Sequence, residues 1–591
     1  MNRTIMDVPN ARPLTIHSAR PEDLSESSNV VASNGWAPEL RALISGLLLW
    51  AAFPPNGHWW LASIALISWF GNSVAAPPLS RRRTFLSALV GGIAFWLPAL
   101  QWVRLSDPSA WAGWLVMSLA LAIWWPVMAM LVRRLHVRNG WPVTIVWPVV
   151  WGFQEIGREY YMTGFPWYHL AHSQFRQTWL IQIADLGGAS LLSVLLVGFQ
   201  AWVAQWFFTG RWTWAEAPAC WRRTGAALGV IAILVIAYGQ ARLHSGKFEE
   251  GPKVALLQSD IPQSRRLYPD HDELIEAYRK LIEKSLTSNE ALDLIVWPET
   301  SFPYPLIVIE AALDEATVKH ILGDHVGPAA ADDWYRNRSE SQAFVNAWAS
   351  QSGVPMIVGA TAWDISGFGL RKYNTAALFH ADAEPQYYYK MHLVPFGEYI
   401  PWTETVPVIA ELAPFPPDQR PNLKHGDSAR VLTLKNRWRM APLICFEDTV
   451  PHVVRRFFRD SWLNAGKDAG ATSEPGHVDI LLNLSNDGWF RGSEEHEVHL
   501  ASSVFRCVEN RRSMLRAVNT GISCIIDSNG SILEEAAPSS ERIIISQVPV
   551  DKRVSVYSLI GDLTGLTCAA GVAAGCFLRN RKNVQFPQAS K

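Results

Sequence analysis

The sequence predicts a two-part fold: a polytopic α-helical membrane domain of eight transmembrane helices, and an extracytoplasmic α/β layered domain set between the seventh and eighth. Three observations predict it. Of 29 tryptophans, 21 precede residue 250, where charged residues are scarce. Arginines cluster in alternate short loops of that half. Beyond it, apolar runs of strand length alternate with stretches of helical periodicity, which implies sheets covered by helices.

The membrane elements come first. Long apolar runs with Trp at their ends match a hydrocarbon core about 30 Å thick with aromatic belts. They predict spans at 40–55, 58–77, 84–103, 110–132, 141–157, 180–208, 224–241 and 556–578, the first short for a bilayer. Seven thus make a membrane domain over 40–245, and the eighth follows the α/β domain of 246–552. Residues 1–35 are polar and expected to be disordered. No cleavable signal pattern precedes the first span, so the spans are expected to persist in the mature protein.

Basic loops set the orientation. Arg81, Arg82 and Arg83, then Arg133, Arg134 and Arg138, then Arg211, Arg222 and Arg223, and finally Arg579, Arg581 and Lys582 fall in alternate connections, whereas Arg104 stands nearly alone in its loop. The positive-inside rule puts the clusters in the cytoplasm. Both termini, including the tail 579–591, are then inside and the α/β domain outside. With 52 basic and 53 acidic residues there is no global field to recruit nucleic acid.

Six cysteines occur: Cys220, Cys445, Cys507, Cys524, Cys568 and Cys576. No dense framework and no C-x-x-C is present, so neither a disulfide scaffold nor a zinc-type spacing is indicated, and no metal or cofactor is expected. Glu155 and Asp185 lie at or inside span ends, where a structural pairing with Arg158 is expected.

In the external domain, strands are expected in KVALLQSDI, LDLIVWPET, PMIVGATAW, YNTAALFH, MAPLICFED, VDILLNLSND and MLRAVNTGISCIID, with helices near 272–288, 336–351, 450–465 and 494–512. Several strands end in reactive residues. LIVWPET delivers Glu299, PLICFED delivers Cys445, and ILLNLSND delivers Asn486 and Asp487; YYYKMHLVPFGEYIP carries Lys390 and Glu398. Sites in α/β folds gather at the carboxyl ends of strands. Taken singly, Cys445 reads as a small core residue, Glu299 as a turn residue, Lys390 as a surface lysine and Asn486–Gly488 as a turn. Together they read as nucleophile, base and oxyanion-stabilising cation. Asp448 is expected to cap the helix beginning near Pro451.

WPET, YKMHLVPFGEY, LICFED and LSNDGWF, in that order, resemble the signatures of the carbon–nitrogen hydrolase (nitrilase) superfamily. Flanking membrane spans narrow the resemblance to its membrane-embedded branch, the apolipoprotein N-acyltransferases. TGFPWYHLAHSQ and VALLQSDIPQS also look like segments of that branch, so the likeness spans roughly residues 40–580. It implies an αββα sandwich with a Glu–Lys–Cys triad. Carried over, Glu299 is the implied base, Lys390 the implied oxyanion lysine and Cys445 the implied nucleophile. Glu398 supports the lysine, Glu447 is a further important glutamate, and the Phe446 N–H is a second oxyanion donor. Phe165, Trp167, Tyr168, Trp489 and Phe490 are expected to rim the entrance, for acyl-chain contact or for interfacial anchoring, with Asn486 also against substrate.

The implied reaction has two steps. A membrane phospholipid gives its acyl chain to Cys445 as a thioester, and the N-terminal amine of a diacylated apolipoprotein then takes it. The implied enzyme is a monomer of the bacterial inner membrane. A tethered amidase using the same triad is the alternative, in which water resolves the acyl-enzyme; seven preceding spans are more than a tether needs. A non-enzymatic scaffold conflicts with the intact triad. Two departures stand out: Phe446 occupies a position where the branch often has Tyr, and Leu267 or Tyr268 falls where it often has an aromatic residue. The connections 306–345 and 459–477 look longer than usual.

Overall fold

The computed structural model describes residues 37–577 apart from 75–77, 108–109, 162–163, 210–212, 264, 266–269, 289, 382, 404, 407, 409–410, 412–419 and 464–477. The expected terminal segments 1–35 and 579–591, with Arg579, Arg581 and Lys582, lie outside the described residues, as do Arg211, Leu267 and Tyr268.

Among the described residues three helices are long and apolar enough to cross a membrane: Ala110–Arg138, Ala184–Thr209 and Ala219–His244; Leu563–Phe577 is a shorter apolar helix. Ala37–Ala51, Arg81–Ala99 and Val143–Tyr160 coincide with the expected spans 40–55, 84–103 and 141–157. The stretch 58–77 departs from expectation. It is a 3₁₀ turn, Trp59–Ser63, followed by the short helix Ile67–Val74. The reason lies in distant side chains. Gln200 accepts from Leu66 N (2.8 Å) and donates to the Ala62 carbonyl (3.1 Å), while Ser45 Oγ accepts from Trp69 N (3.0 Å). Gln174 donates to the Trp59 carbonyl at 2.8 Å. Peptide groups freed by the break are satisfied from neighbouring helices, the condition for irregular backbone in apolar surroundings.

The acidic residues at span ends are paired differently from expectation. Asp185 accepts from Tyr238 (2.7 Å), Arg242 (2.8 Å) and Arg511 (2.8 Å). Glu155 accepts from Trp151 Nε1 and Leu170 N, both at 2.9 Å, and Arg158 turns to Gln154 and the Trp167 carbonyl. Asp185 therefore ties the membrane part to the α/β domain through Arg511.

That domain is built on two sheets. β1 (Glu249–Gln258), β2 (Leu294–Val296), β3 (Leu306–Ile309), β4 (Met356–Ser366), β5 (Gly369–His380) and β6 (Ala383–Tyr389) join β13 (Arg542–Val550) in the order β13-β1-β2-β4-β5-β6, with β3 on β4. β7 (Leu432–Leu434), β8 (Trp438–Ile444), β9 (Ile480–Ser485), β10 (Ser513–Val518), β11 (Cys524–Ile526) and β12 (Ile532–Glu535) form the second, in the order β12-β11-β10-β9-β8-β7. Strand alternation divides the apolar residues of the first sheet between two cores. Val254, Leu256, Leu294, Val296, Ala376 and Leu378 face the second sheet. Ala255, Leu257, Ile295, Ala377 and Phe379 pack under the helices His271–Leu286 and Glu340–Ser352. Pro451–Leu463 and Glu495–Asn510 supply Val454, Phe457, Leu500 and Val504 to the core of the second sheet, completing helix–sheet–sheet–helix layering. The long connection 306–345 holds β3, the helices Glu315–Val326 and Pro328–Arg336, and the start of the next helix, around a small core of Ile307, Val318, Leu322, Ala331 and Ile365.

Parallel pairing of β1, β2 and β4, and of β8, β9 and β10, sends the carboxyl ends within each sheet to one edge. Residues that follow those strands therefore meet.

Candidate active site

Glu299 follows β2. Its turn is seated against β4 by Gly359, where a Cβ would stand 2.2 Å from the Pro298 carbonyl oxygen. Lys390 follows β6 and is fully buried, with Nζ 2.8 Å from Glu398 Oε1 and 3.6 Å from Glu299 Oε1. Asn374, on β5, bridges the two carboxylates from one amide, donating to Glu299 at 2.7 Å and to Glu398 at 3.0 Å. The second Glu398 oxygen accepts from Val394 N at 2.8 Å.

Cys445 follows β8 and has a left-handed backbone (φ 52°), as does Thr300 (φ 43°) beside Glu299. A non-glycine residue held there costs of order 1–3 kcal/mol, strain that concentrates at functional sites. Burial, and then the Glu299 charge, push the Cys445 thiol well above its ordinary range, with Lys390 opposing. Cys445 is thus held as a thiol. Burial alone would depress the Lys390 ammonium; Glu398, Glu299 and Cys445 outweigh it and hold Lys390 above its ordinary value.

Glu447 joins the two halves of the site. Its Oε1 accepts from Met391 N (2.7 Å) and His392 N (2.9 Å), directly after the lysine. Its Oε2 accepts from Ile444 N (2.8 Å), directly before the cysteine, and Tyr388 donates to both oxygens (2.9 and 2.8 Å). One carboxylate thereby fixes the end of β6 in one sheet to the end of β8 in the other.

The chain matches known proteins over most of its length. The family model described as carbon–nitrogen hydrolase matches residues 253–461 and 471–556, and that described as apolipoprotein N-acyltransferase N-terminal domain matches 45–202. An apolipoprotein N-acyltransferase of Geobacter metallireducens is 30% identical over 562 residues, covering 92% of this chain and 95% of that protein. Proteins of the same name from Rhodopirellula baltica and Methylococcus capsulatus are each 27% identical, over 91% and 93% of this chain and 97% of each relative. The chain belongs to the apolipoprotein N-acyltransferase family.

In this family member the aromatic residues expected at a rim are largely packed. Trp167 and Tyr168 are 4% and 3% exposed. Trp167 stacks on Phe165 and on Phe446, both at 6.4 Å, and Phe446 stacks on His392 at 5.7 Å. Phe490 meets Trp102 edge-on at 4.8 Å. These rings form a column from the membrane part to the residue after Cys445, and Arg158 donates to the Trp167 carbonyl at 2.7 Å beside it. Trp489 alone of the five is open, 38% exposed. Asn486 is engaged with the protein, donating to Gln263 (2.8 Å) and accepting from Asn519 (3.0 Å).

Asp448 is not a helix cap. Its oxygens accept from His499 Nε2 (2.7 Å), Ser503 (2.5 Å) and Arg516 (3.0 Å), all buried. Arg516 also donates to Asp487 and Asn483 (3.0 Å each), and Asn483 Nδ2 donates to the Cys445 carbonyl at 3.1 Å. Sequence reading missed Asn374, Tyr388, Asn483, His499 and Arg516. The available signal was a polar residue at an inward position of an apolar strand, as in YNTAALFH, ILLNLS and MLRAV.

Proposed function

We propose that this acyltransferase moves an acyl chain from a membrane phospholipid to the N-terminal amine of the diacylglyceryl-cysteine of apolipoproteins, with Cys445 as nucleophile, Glu299 as base and Lys390 as oxyanion cation. The observation that carries the reading is the buried Lys390 ammonium held between Glu299 and Glu398 at the strand ends that also present Cys445. Glu299 takes the thiol proton as Sγ attacks the ester carbonyl. Lys390 and the Phe446 N–H face the oxyanion. The ester C–O bond then breaks and Glu299 returns the proton to the lysophospholipid oxygen. In the second step the free amine attacks the thioester, Glu299 takes its proton, the C–S bond breaks, and the thiolate recovers a proton as the amide forms. Glu398 and Asn374 position Lys390 and Glu299, and Glu447 positions both nucleophile and lysine.

Membrane placement follows the same reading. Eight spans, seven over 40–245 and one over 556–578, hold a catalytic domain of 246–552 on the periplasmic side of the bacterial inner membrane, with both termini cytoplasmic. The aromatic column and exposed Trp489 guide acyl chains entering from the outer leaflet. The test is incubation of purified protein with labelled phospholipid and a diacylated lipopeptide, comparing wild type with Cys445→Ala. An acyl adduct on Cys445 that passes to the peptide amine supports the reading. An adduct released only to water indicates a hydrolase, and no adduct indicates a catalytically inert scaffold.

A further inference from the structure

Glu447 holds the start of the nucleophile turn through Ile444 N, and a different side chain holds the next peptide from behind. Asn483 Nδ2 donates to the Cys445 carbonyl at 3.1 Å. Asn483 is fully buried and stands on β9 directly opposite Arg516 of β10. Residues opposite each other in neighbouring strands share a sheet face. Arg516 reaches Ser503 Oγ (3.1 Å) on the Glu495–Asn510 helix, so both side chains lie on the helix-covered face of the second sheet. The first sheet, whose strands lead into Glu299 and Lys390, packs on the other face.

The Asn483 amide is held one way round. Arg516 Nη1 donates to Oδ1 at 3.0 Å, so a flip would set NH₂ against a guanidinium and oxygen against a carbonyl. Arg516 is held in turn by Asp448 and Asp487, each at 3.0 Å. Both the identity and the direction of the donor are therefore fixed. Direction matters because the Cys445 carbonyl and the Phe446 N–H belong to one planar trans peptide, whose C=O and N–H point opposite ways. Drawing the carbonyl toward the helix layer aims the Phe446 N–H toward the first sheet, the side of Lys390. The turn needs such an outside hold. Cys445–Thr449 is a 3₁₀ segment, with poorer internal hydrogen-bond geometry than an α-helix. Cys445 is also left-handed, a conformation that persists only where its surroundings impose it.

We propose that Asn483 is a positioning residue for the oxyanion hole: by holding the Cys445 carbonyl, with Arg516 fixing its amide, it aims the Phe446 N–H at the oxygen that becomes negative in acyl transfer. The inference rests on the acyl-transfer reading above. Asn483 acts through the backbone and not on the substrate. It serves steps that pass through an oxyanion, and it is dispensable for reactions that use Sγ alone.

Two reactions of Cys445 separate this role from a merely structural one. Acylation by a phospholipid ester passes through an oxyanion. Alkylation by iodoacetamide does not: Sγ loses its proton, forms an S–C bond and displaces iodide. Both are followed at Cys445 by peptide mass in full-length protein in detergent, comparing wild type with Asn483→Leu. Removing an oxyanion donor outright costs about 10²–10³ in rate, so misaiming one is expected to slow single-turnover acylation about 10–10²-fold, with alkylation within about threefold of wild type. If Asn483→Leu fails to fold, Asn483→Asp carries the same test: it keeps the shape and an acceptor for Arg516, and as a carboxylate has no hydrogen for the Cys445 carbonyl. Parallel loss of acylation and alkylation overturns the proposal in favour of a role in placing Sγ. Variant acylation within about threefold of wild type also overturns it. Absence of acylation in wild type defeats the acyl-transfer reading and this proposal with it, so the two failures are told apart.

Discussion

Replacing Glu447 by glutamine isolates the joint between the two sheets. The isostere changes no volume, yet every observed contact of Glu447 is a donor: Met391, His392 and Ile444 through N–H, and Tyr388 through O–H. Glutamine supplies only one accepting atom. If its oxygen stays with Met391 and His392, its NH₂ meets the Ile444 N–H across 2.8 Å. Losing a hydrogen bond to a charged acceptor costs about 1.5–3 kcal/mol, and leaving a buried donor unmade about 1–3 kcal/mol. The sum, roughly 3–5 kcal/mol, falls where the cysteine turn begins, and corresponds to a rate loss of roughly 10²–10³-fold or more. Single-turnover acylation of Glu447→Gln by labelled phospholipid measures it. We expect slow acylation with a retained fold and retained lipopeptide binding. Acylation within about threefold of wild type would refute the idea that this carboxylate holds nucleophile and lysine in register.

Burial pushes Glu447 up to about 7, against Lys390 and its N–H donors, so acylation should fall as pH drops below about 7 and the carboxylate protonates; a pH–rate profile of Glu447→Gln should lack that limb. Because the folded pKa is raised, its contribution to stability is present below the ordinary value of 4.5 and lost as pH rises through about 7, which denaturation at several pH values would show. Lys390→Met leaves Glu299 and Glu398 facing each other through Asn374 with no cation; we expect loss of about 3–5 kcal/mol of stability and no detectable acylation, read by denaturation and adduct mass. Gln200→Leu strands Leu66 N and the Ala62 carbonyl, and should destabilise the membrane part by about 2–4 kcal/mol while leaving the acylation chemistry of the folded fraction intact.

The strand frame of the catalytic domain was legible because buried strands are continuous apolar runs and a charged residue directly after one cannot remain in the sheet. That is why WPET and LICFED stood out as strand ends, whereas the roles expected of Glu299, Lys390 and Cys445 came from the resemblance those motifs and YYYK carry. Residues whose meaning comes only from a remote partner were not legible. Asn374 meets Glu299 across 75 residues, and Arg516 meets Asp448 across 68. Asp448 looked like a cap because capping is local, whereas its actual partners sit on the Glu495–Asn510 helix and β10. Hydropathy likewise drew 58–77 as one span, blind to a glutamine 134 residues beyond Leu66 that makes the break tolerable. Trp167 carried the composition of an interfacial anchor, yet it is buried in a column ending at Phe446.

The most direct test of the account is mass spectrometry of Cys445 during turnover with a labelled phospholipid, before and after adding a diacylated lipopeptide. The account predicts a thioester on Cys445 that disappears as the same label enters an amide on the peptide's N-terminal amine. Labelled amide formed by Cys445→Ala at a comparable rate would contradict it.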